Sequence, residues 1–479
     1  MSLRIYDSAA RSVVAFEPAH PPRVSMYVCG PTVYGLVHIG NARTFLWFDL
    51  IRRYLSYRGF EVTFVMNYTD VDDKIIERAR EEDVDEESLA RRYAEAFEAD
   101  MKALGVGAPD ILARATEHIP DMVAAIEGLV EQGFAYEADG NVFFAVERFD
   151  GYGRLSGRSL ADMRAGQRVE PHPSKRHPLD FALWKAAKEE EPSWSSPWGP
   201  GRPGWHIECS VMSIRYLGMG FDLHGGGTDL IFPHHENELT QAEALTGEAP
   251  FVRHWLHSGM VQMQSEKMSK SLGNIVTARQ ALERFDGEVV RMWALSGSYR
   301  TQVVFSEKAL HDASAAYERW KTFHESSAHL LESVSGARAA QEATSASELS
   351  GADRDRFIAA MDDDFNSAIA VAVIHDLVRE GNSELEAASR GDSAARVRLE
   401  GVAGTFAELT WVLGFSFASE VVSDELAGSL IDYLLELREQ AREEREFERA
   451  DEIRHRLGSL GVVIEDTPSG ARWRLAPRG

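Results

Sequence analysis

A chain of 479 residues, 44% apolar and 27% charged, has the balance of a globular protein with a sizeable core, and about 150 residues per domain predicts roughly three domains. Its apolar stretches are all interrupted well short of the roughly 20 residues that span a bilayer, and residues 1–20 lack the signal-peptide pattern, so a cytoplasmic protein with no membrane partner is expected. Two cysteines, Cys29 and Cys209, cannot make a disulfide framework, and a net charge of -25 argues against a polyanionic partner unless a local basic strip meets it.

Val24 to Cys29 reads as a buried strand, Gly30 to Leu36 as a loop, Ala42 to Tyr57 as an amphipathic helix ended by Gly59, and Val62 to Met66 as a second strand. This is a βαβ unit, whose loop and helix start lie at the carboxyl edge of a parallel sheet, where ligands bind. The region from about Asp110 to Pro203, with a small β element at Asn141 to Val146 and a Pro/Trp/Gly-rich run from Pro192 to Trp205, reads as an insertion. Phe221 to Ser298 resumes strand and helix signals, as the second half of the same sheet would.

Helices dominate from Ser306, with a flexible connection expected at Ser333 to Ser350 and helical periodicity over Asp353 to Leu413. Charged helices run from Asp424 to Leu457, followed by short strands at Val462 to Glu465 and Arg472 to Leu475, and no internal repeat is present. The predicted fold class is α/β: a Rossmann-like parallel-sheet catalytic domain over 1–305, with a connective insertion at about 110–203, then a helical bundle domain over 306–420 and a small mixed α/β domain over 421–479.

His38-Ile39-Gly40-Asn41 falls where the loop becomes a helix, a position at which free amides and the helix dipole favour phosphate; alone, such a histidine is more often a cap or a packing residue. Lys267-Met268-Ser269-Lys270-Ser271 offers two lysines to a triphosphate, against a default of a solvated loop. Together the two strings resemble the signatures of class I aminoacyl-tRNA synthetases. Gly225-Gly226-Gly227-Thr228-Asp229, by itself an ordinary tight turn, reads in this company as an adenosine loop, with Asp229 accepting from ribose hydroxyls.

His234 and Glu238, spaced i and i+4 on a helix begun by Pro233, share one face and join Cys29 and Cys209 as a tetrahedral zinc set. Taken singly each is more often structural, but both cysteines of the chain fall beside these loops. His206, His224, His235 and Glu236 crowd the same region as outer partners that sequence does not rank.

Further strings, Cys29-Gly30-Pro31-Thr32-Val33-Tyr34, Asn67-Tyr68-Thr69-Asp70-Val71-Asp72-Asp73-Lys74, Gly204-Trp205-His206-Ile207-Glu208-Cys209 and Phe232-Pro233-His234-His235-Glu236-Asn237-Glu238, make nearly the whole chain resemble the cysteinyl-tRNA synthetases. Asn41 departs from the histidine that usually ends the first signature. The resemblance implies ATP-dependent activation of L-cysteine to an adenylate and its transfer to the 3′ end of tRNA(Cys) by a monomer, with one Zn2+ per chain, Mg2+ accompanying ATP, and an anticodon-binding domain at 421–479. It implies zinc ligands at Cys29, Cys209, His234 and Glu238, and catalytic roles for His38, Asn41, Lys267 and Lys270. ATP contacts are implied at His38, Asn41, Gly225, Gly226, Gly227, Asp229 and Lys270, and a cysteine pocket at Cys29, Gly30, Thr69, Trp205 and His224. Arg442, Asp451, Arg454 and Trp473 are candidates for RNA contact. A ligase joining cysteine to an amino sugar shares the catalytic half but needs no region like 306–479, and a binding-only relative needs neither the lysines nor the metal set.

Overall fold

The computed structural model describes residues 2–160, 163, 173–263, 266–267, 276–332, 351–417, 424–460, 462–467 and 470–475. Its centre is a parallel sheet of five strands in the order Val252–Ser258, Phe221–Gly227, Arg23–Val28, Glu61–Tyr68 and Ile111–Arg114. Val24, Met26, Tyr27 and Val28 are all buried, the near-continuous apolar run expected of a strand covered on both faces. From Arg23–Val28 the chain moves to one side through Glu61–Tyr68, while Phe221–Gly227 joins the other side after the insertion. The strand order therefore reverses between these two neighbours, and their carboxyl ends diverge to open a crevice.

The helix Ile39–Tyr57 crosses between the first two strands of the sheet and begins three residues before its apolar period does. The cause is local: His38 Nδ1 accepts the Asn41 N–H at 3.2 Å and so caps the helix start. Its middle is buried through Phe45, Trp47, Phe48 and Leu50.

The insertion folds as an antiparallel sheet in the order Ala135–Ala138, Asn141–Phe144, Phe181–Ala186, Gly201–Pro203, beside the helix Ile119–Glu131. Val142, Phe144, Leu183 and Trp184 share one apolar cluster with Tyr27, Cys29 and Cys209, so the insertion packs directly over the end of the central strand. From it the helix Trp205–Leu217 leads into Phe221–Gly227.

The chain forms two compact units, residues 1–416 and 417–479. The first also holds the helices Glu307–Glu332, Gly351–Met361, Ser367–Ser389 and Ser393–Val412. The connection expected at 333–350 lies outside the described residues. Asp362 fastens these helices to the sheet layer by accepting from Tyr54 at 2.6 Å and pairing with Arg58.

The second unit comprises the helices Asp424–Glu443 and Phe447–Ser459 and a hairpin of Val462–Thr467 with Gly470–Leu475, each strand two residues longer than its sequence signal. Leu435, Leu457, Val462 and Ile464 form its core; Trp473, partly buried against them, donates to Asp432 at 2.8 Å. Among the described residues no helix is long and apolar enough to cross a membrane.

Candidate active site and metal centre

A cavity of about 270 Å³ opens at the strand-order reversal and brings together residues that lie as far as 205 positions apart in sequence, from Cys29 to His234. Cys29, Gly30, His38, Asn41, Thr69, Trp205, Cys209, Gly227, Asp229 and His234 all line it. Gly30 has to be glycine: a Cβ would stand 1.6 Å from the Asn67 carbonyl oxygen, and its N–H donates to Asn67 Oδ1 at 3.0 Å.

The glycine run differs from its sequence reading. Gly225, Gly226 and Gly227 belong to the strand Phe221–Gly227 and not to a loop. At Gly225 a Cβ would meet the Phe48 ring at 2.2 Å, and at Gly226 it would meet His235 and Leu230 at 2.9 Å, so both glycines allow helices to close on the sheet. Only Gly227 and Asp229 of this string reach the cavity wall. His224, fully buried on the same strand, lies behind Cys29 with its Nε2 3.4 Å from the sulfur, and is not on the cavity wall.

Cys29 directly follows the central strand, Cys209 lies on the helix Trp205–Leu217, and Glu238 lies on the helix Glu236–Thr246. That last helix begins three residues beyond Pro233, after a distorted turn in which Phe232 is extended. The turn still keeps His234 and Glu238 on one side, 2.8 Å apart.

All four side chains are buried, and their donor atoms lie within 4.8 Å of one another. A tetrahedral zinc with bonds of about 2.3 Å to sulfur would separate two sulfurs by about 3.8 Å, and a sulfur from a carboxylate oxygen by about 3.5 Å. The corresponding distances are 3.7 Å between Cys29 and Cys209 and 3.4 Å between Cys29 and Glu238 Oε1. The sulfur distances fit the ion, while His234 Nε2 and Glu238 Oε1, 2.8 Å apart as a hydrogen bond holds them, stand closer than the roughly 3.3 Å between nitrogen and oxygen ligands of a tetrahedral zinc and would part on binding.

Electrostatics agree. Burial, reinforced by Cys209 and Glu238, holds the Cys29 thiol well above its usual range, and burial likewise raises the Glu238 carboxyl. Burial opposes ionisation of Cys209 too, but the hydrogen bond with Cys29 and the neighbouring His234 bring it down to about 7. The pocket thus tolerates one thiolate and resists a second anion, a cost that a divalent cation would offset.

Partners surround this set. His206 Nδ1 lies 2.9 Å from His234 Nδ1, and Trp205 stacks on the His234 ring at 4.2 Å. His235 Nε2 lies 3.4 Å from Cys29 Sγ, while its Nδ1 meets His257, which in turn reaches Ser8. Burial lowers the pKa of His206, His224 and His235, keeping all three neutral. Cys29 and Glu238 also form a second cluster with His224 and His235.

Thr69 donates to Glu208 at 2.7 Å, where burial and then Cys209 raise the carboxyl. Sequence reasoning passed over Glu208, Asn67 and Tyr27 as site residues. Strand alternation would have found Tyr27, two positions before Cys29 and on the same face. Lys267 pairs across from Gln262 in a short strand, and Lys270 lies outside the described residues. In the second unit Asp451 and Arg454 line a shallow depression of about 430 Å³.

Comparison with known proteins bears on the whole chain. Residues 15–315 match the model of the tRNA synthetases class I (C) catalytic domain, 356–418 that of the DALR domain, and 429–474 that of the cysteinyl-tRNA ligase anticodon binding domain. The chain is 48% identical to a cysteine–tRNA ligase of Brevibacillus brevis, covering 99% of this chain and all of that one. It is 50% identical to a cysteine–tRNA ligase of Moorella thermoacetica over 98% and 99% of the two chains. Among solved structures, Mycobacterium tuberculosis methionyl-tRNA synthetase with methionyl-adenylate superposes with a TM-score of 0.62 over 82% of this chain and 90% of that one, at 15% identity, a likeness of fold. The chain belongs to the cysteine–tRNA ligases, within the class I aminoacyl-tRNA synthetases.

Proposed function

We propose that this ligase activates L-cysteine with ATP as cysteinyl adenylate, and passes the cysteinyl group to the 3′ end of tRNA(Cys), selecting its amino acid through one zinc ion held by Cys29, Cys209, His234 and Glu238. The observation that carries this reading is the fit of that buried donor set, with three of its members on the wall of the cavity that also holds His38 and Asn41. Zinc bound there would take the substrate thiol as a thiolate, a bond that the neutral hydroxyl of serine does not match.

The remaining chemistry needs no protein nucleophile. The cysteine carboxylate attacks the α-phosphorus of ATP, a carboxyl–phosphate bond forms, and pyrophosphate departs with Mg2+. A terminal ribose hydroxyl then attacks the activated carbonyl and AMP leaves. The capped helix start at His38 and Asn41 directs its dipole toward the phosphates, and Asp229 takes the ribose hydroxyls. Lys267 and Lys270 neutralise the departing pyrophosphate. Gly30, Thr69 and Trp205 shape the cysteine side of the cavity, while His224 acts from behind Cys29.

The division of labour follows the domains read from sequence: catalysis at 1–305, the helical domain at 306–420 and anticodon binding at 421–479, in a cytoplasmic monomer. The test is cysteine-dependent ATP–pyrophosphate exchange on protein of measured zinc content, with serine as the challenge. Zinc near one per chain with exchange for cysteine alone supports the reading; full exchange in metal-free protein refutes the role of zinc.

A further inference from the structure

Arg43 stands two residues beyond Asn41 on the helix Ile39–Tyr57, and its side chain is fully buried. Burial brings its pKa down to about 10, so it is still a cation at neutral pH. Among the described residues its partners are all backbone carbonyls, and its Nε has none. A charge buried without a counterion is costly, and its position calls for an explanation.

The partners supply one. Nη1 donates to the Gly259 carbonyl at 2.9 Å and to that of Tyr299 at 3.4 Å, and Nη2 donates to the Ser298 carbonyl at 2.9 Å. These carbonyls belong to two loops, the first leading into the strand Val261–Met263 and the second into Val303–Phe305, which run parallel with Val261 opposite Val303. Glu266–Lys267 closes this small sheet on the other side of Val261–Met263. The loops lie so close that a Cβ on Gly259 would stand 2.3 Å from the Thr301 carbonyl oxygen, and the Gly259 N–H donates to the Tyr299 carbonyl at 2.7 Å. One guanidinium therefore grips both supports of the sheet where they meet, with a fixed fork of donors that neither a lysine nor a neutral amide matches.

Beyond the sheet the chain returns to the same helix start. The Ile39 N–H donates to the Val276 carbonyl and the Ala278 N–H to the Val37 carbonyl, both at 2.9 Å. The lysine string is thus preceded by one fastening to the segment 37–43, at Gly259, and followed by another, at Val276.

We infer that Arg43 is a positioning residue for adenylate formation, holding the small sheet that carries Lys267 at a fixed offset from the helix start that carries His38 and Asn41. The inference rests on the role given to Lys267 above. Arg43 is not on the cavity wall, which its neighbours Asn41, Thr44 and Phe45 line. Both sets of groups have to meet one triphosphate, and a misplacement of about 1 Å in such an arrangement can cost about 10²-fold in rate.

The test is a double-variant cycle on the full chain, with adenylate formation read by single-turnover kinetics and with metal content and cysteine affinity measured on the same samples. In Arg43→Met the rate falls on the order of 10²-fold, while cysteine affinity and metal content stay within about twofold of the parent. Lys267→Ala, severe in the parent, costs far less in the Arg43→Met background, because the lysine is then already out of place. Arg43→Lys, which keeps the charge and one carbonyl bond, carries the same test should the methionine variant not fold.

An unchanged rate in the Arg43 variants would overturn the role of Arg43 and leave that of Lys267 standing. Losses that multiply in the double variant, or a rate that falls together with cysteine affinity, would overturn it too, as a general disturbance of the fold would then explain the effect. Lys267→Ala without effect in the parent would overturn the reading of Lys267 and this inference with it.

Discussion

Arg291 is fully buried where the sheet layer meets the helical region, and replacing it with methionine should cost the first unit about 5 kcal/mol. Its guanidinium reaches Asp49 Oδ2 at 2.8 Å and donates to the carbonyls of Gly105 at 2.7 Å, Leu104 at 3.2 Å and Leu413 at 3.2 Å. Those carbonyls follow the ends of the helices Glu86–Ala103 and Ser393–Val412, so one side chain satisfies the termini of two helices. Breaking a buried ion pair costs about 3–5 kcal/mol, and here the low end applies, because Asp49 keeps Arg53 and the Gly107 N–H. Carbonyls left without a donor add roughly 1 kcal/mol each, partly overlapping the first term.

The pH dependence follows from Asp49. Burial pushes its carboxyl up, but Arg291, Arg53 and the Gly107 N–H together hold it below the usual range. A carboxyl depressed in the folded state contributes stability that is fully present above its unfolded value near about 3.9 and lost as pH falls through the lower folded value. The gap between parent and Arg291→Met should therefore be flat from about pH 5 to 8 and narrow below about pH 4. Urea unfolding followed by tryptophan fluorescence reads it, using the transition of the larger unit. A loss below about 1 kcal/mol would refute the argument, as would a double variant, Asp49→Leu with Arg291→Met, no more stable than Arg291→Met alone.

Cys209→Ser should lower zinc affinity by at least about tenfold and abolish cysteine-dependent exchange, read by elemental analysis and pyrophosphate exchange on the same sample. Lys270→Ala should slow adenylate formation by about 10²–10³ in single-turnover kinetics with little change in cysteine binding, and an unchanged rate would remove it from catalysis. A chain ending at Ser416, the end of the first compact unit, should keep exchange and lose most transfer to tRNA. In the full chain, added salt should weaken transfer more than adenylate formation if the RNA is met electrostatically despite the net charge of -25.

The strand and helix order of the catalytic half was legible because its signals are local: an apolar run at Val24 to Cys29, a capped helix start at His38, and a period of 3.6 through Tyr57. The clustering of Cys29, Cys209, His234 and Glu238 was legible because cysteine is scarce and because His234 and Glu238 keep helical spacing. What sequence could not supply was depth. Gly225 and Gly226 read as a ligand loop, whereas their missing side chains make room for Phe48, His235 and Leu230. His224, in register with Tyr27, lies 3.4 Å from the Cys29 sulfur and below the cavity wall, a depth that spacing alone does not give. Trp473, a candidate RNA contact, pairs across from Ile464 and packs partly buried against the core of the second unit, a packing role that sequence did not show. Each of these turns on which elements pack against a strand position, a tertiary fact that local spacing does not encode.

The location of the donor set also bears on how selectivity is achieved. Cys29 leaves one strand beside the order reversal, His234 and Glu238 follow the other, and Cys209 lies on the helix through which the chain leaves the insertion. The ion would thus be fixed by elements from both halves of the sheet and from the segment between them, each buried and packed into one apolar cluster. A site on such rigid supports can hold its geometry before substrate arrives, so discrimination between a thiol and a hydroxyl can reside in the first binding event. An apolar pocket gains only about 1–3 kcal/mol from a methylene difference and has nothing comparable with which to separate sulfur from oxygen. On the proposed zinc reading, a metal held at the floor of the cavity would supply a bond that one substrate makes and the other does not, and would need no second hydrolytic site to correct errors.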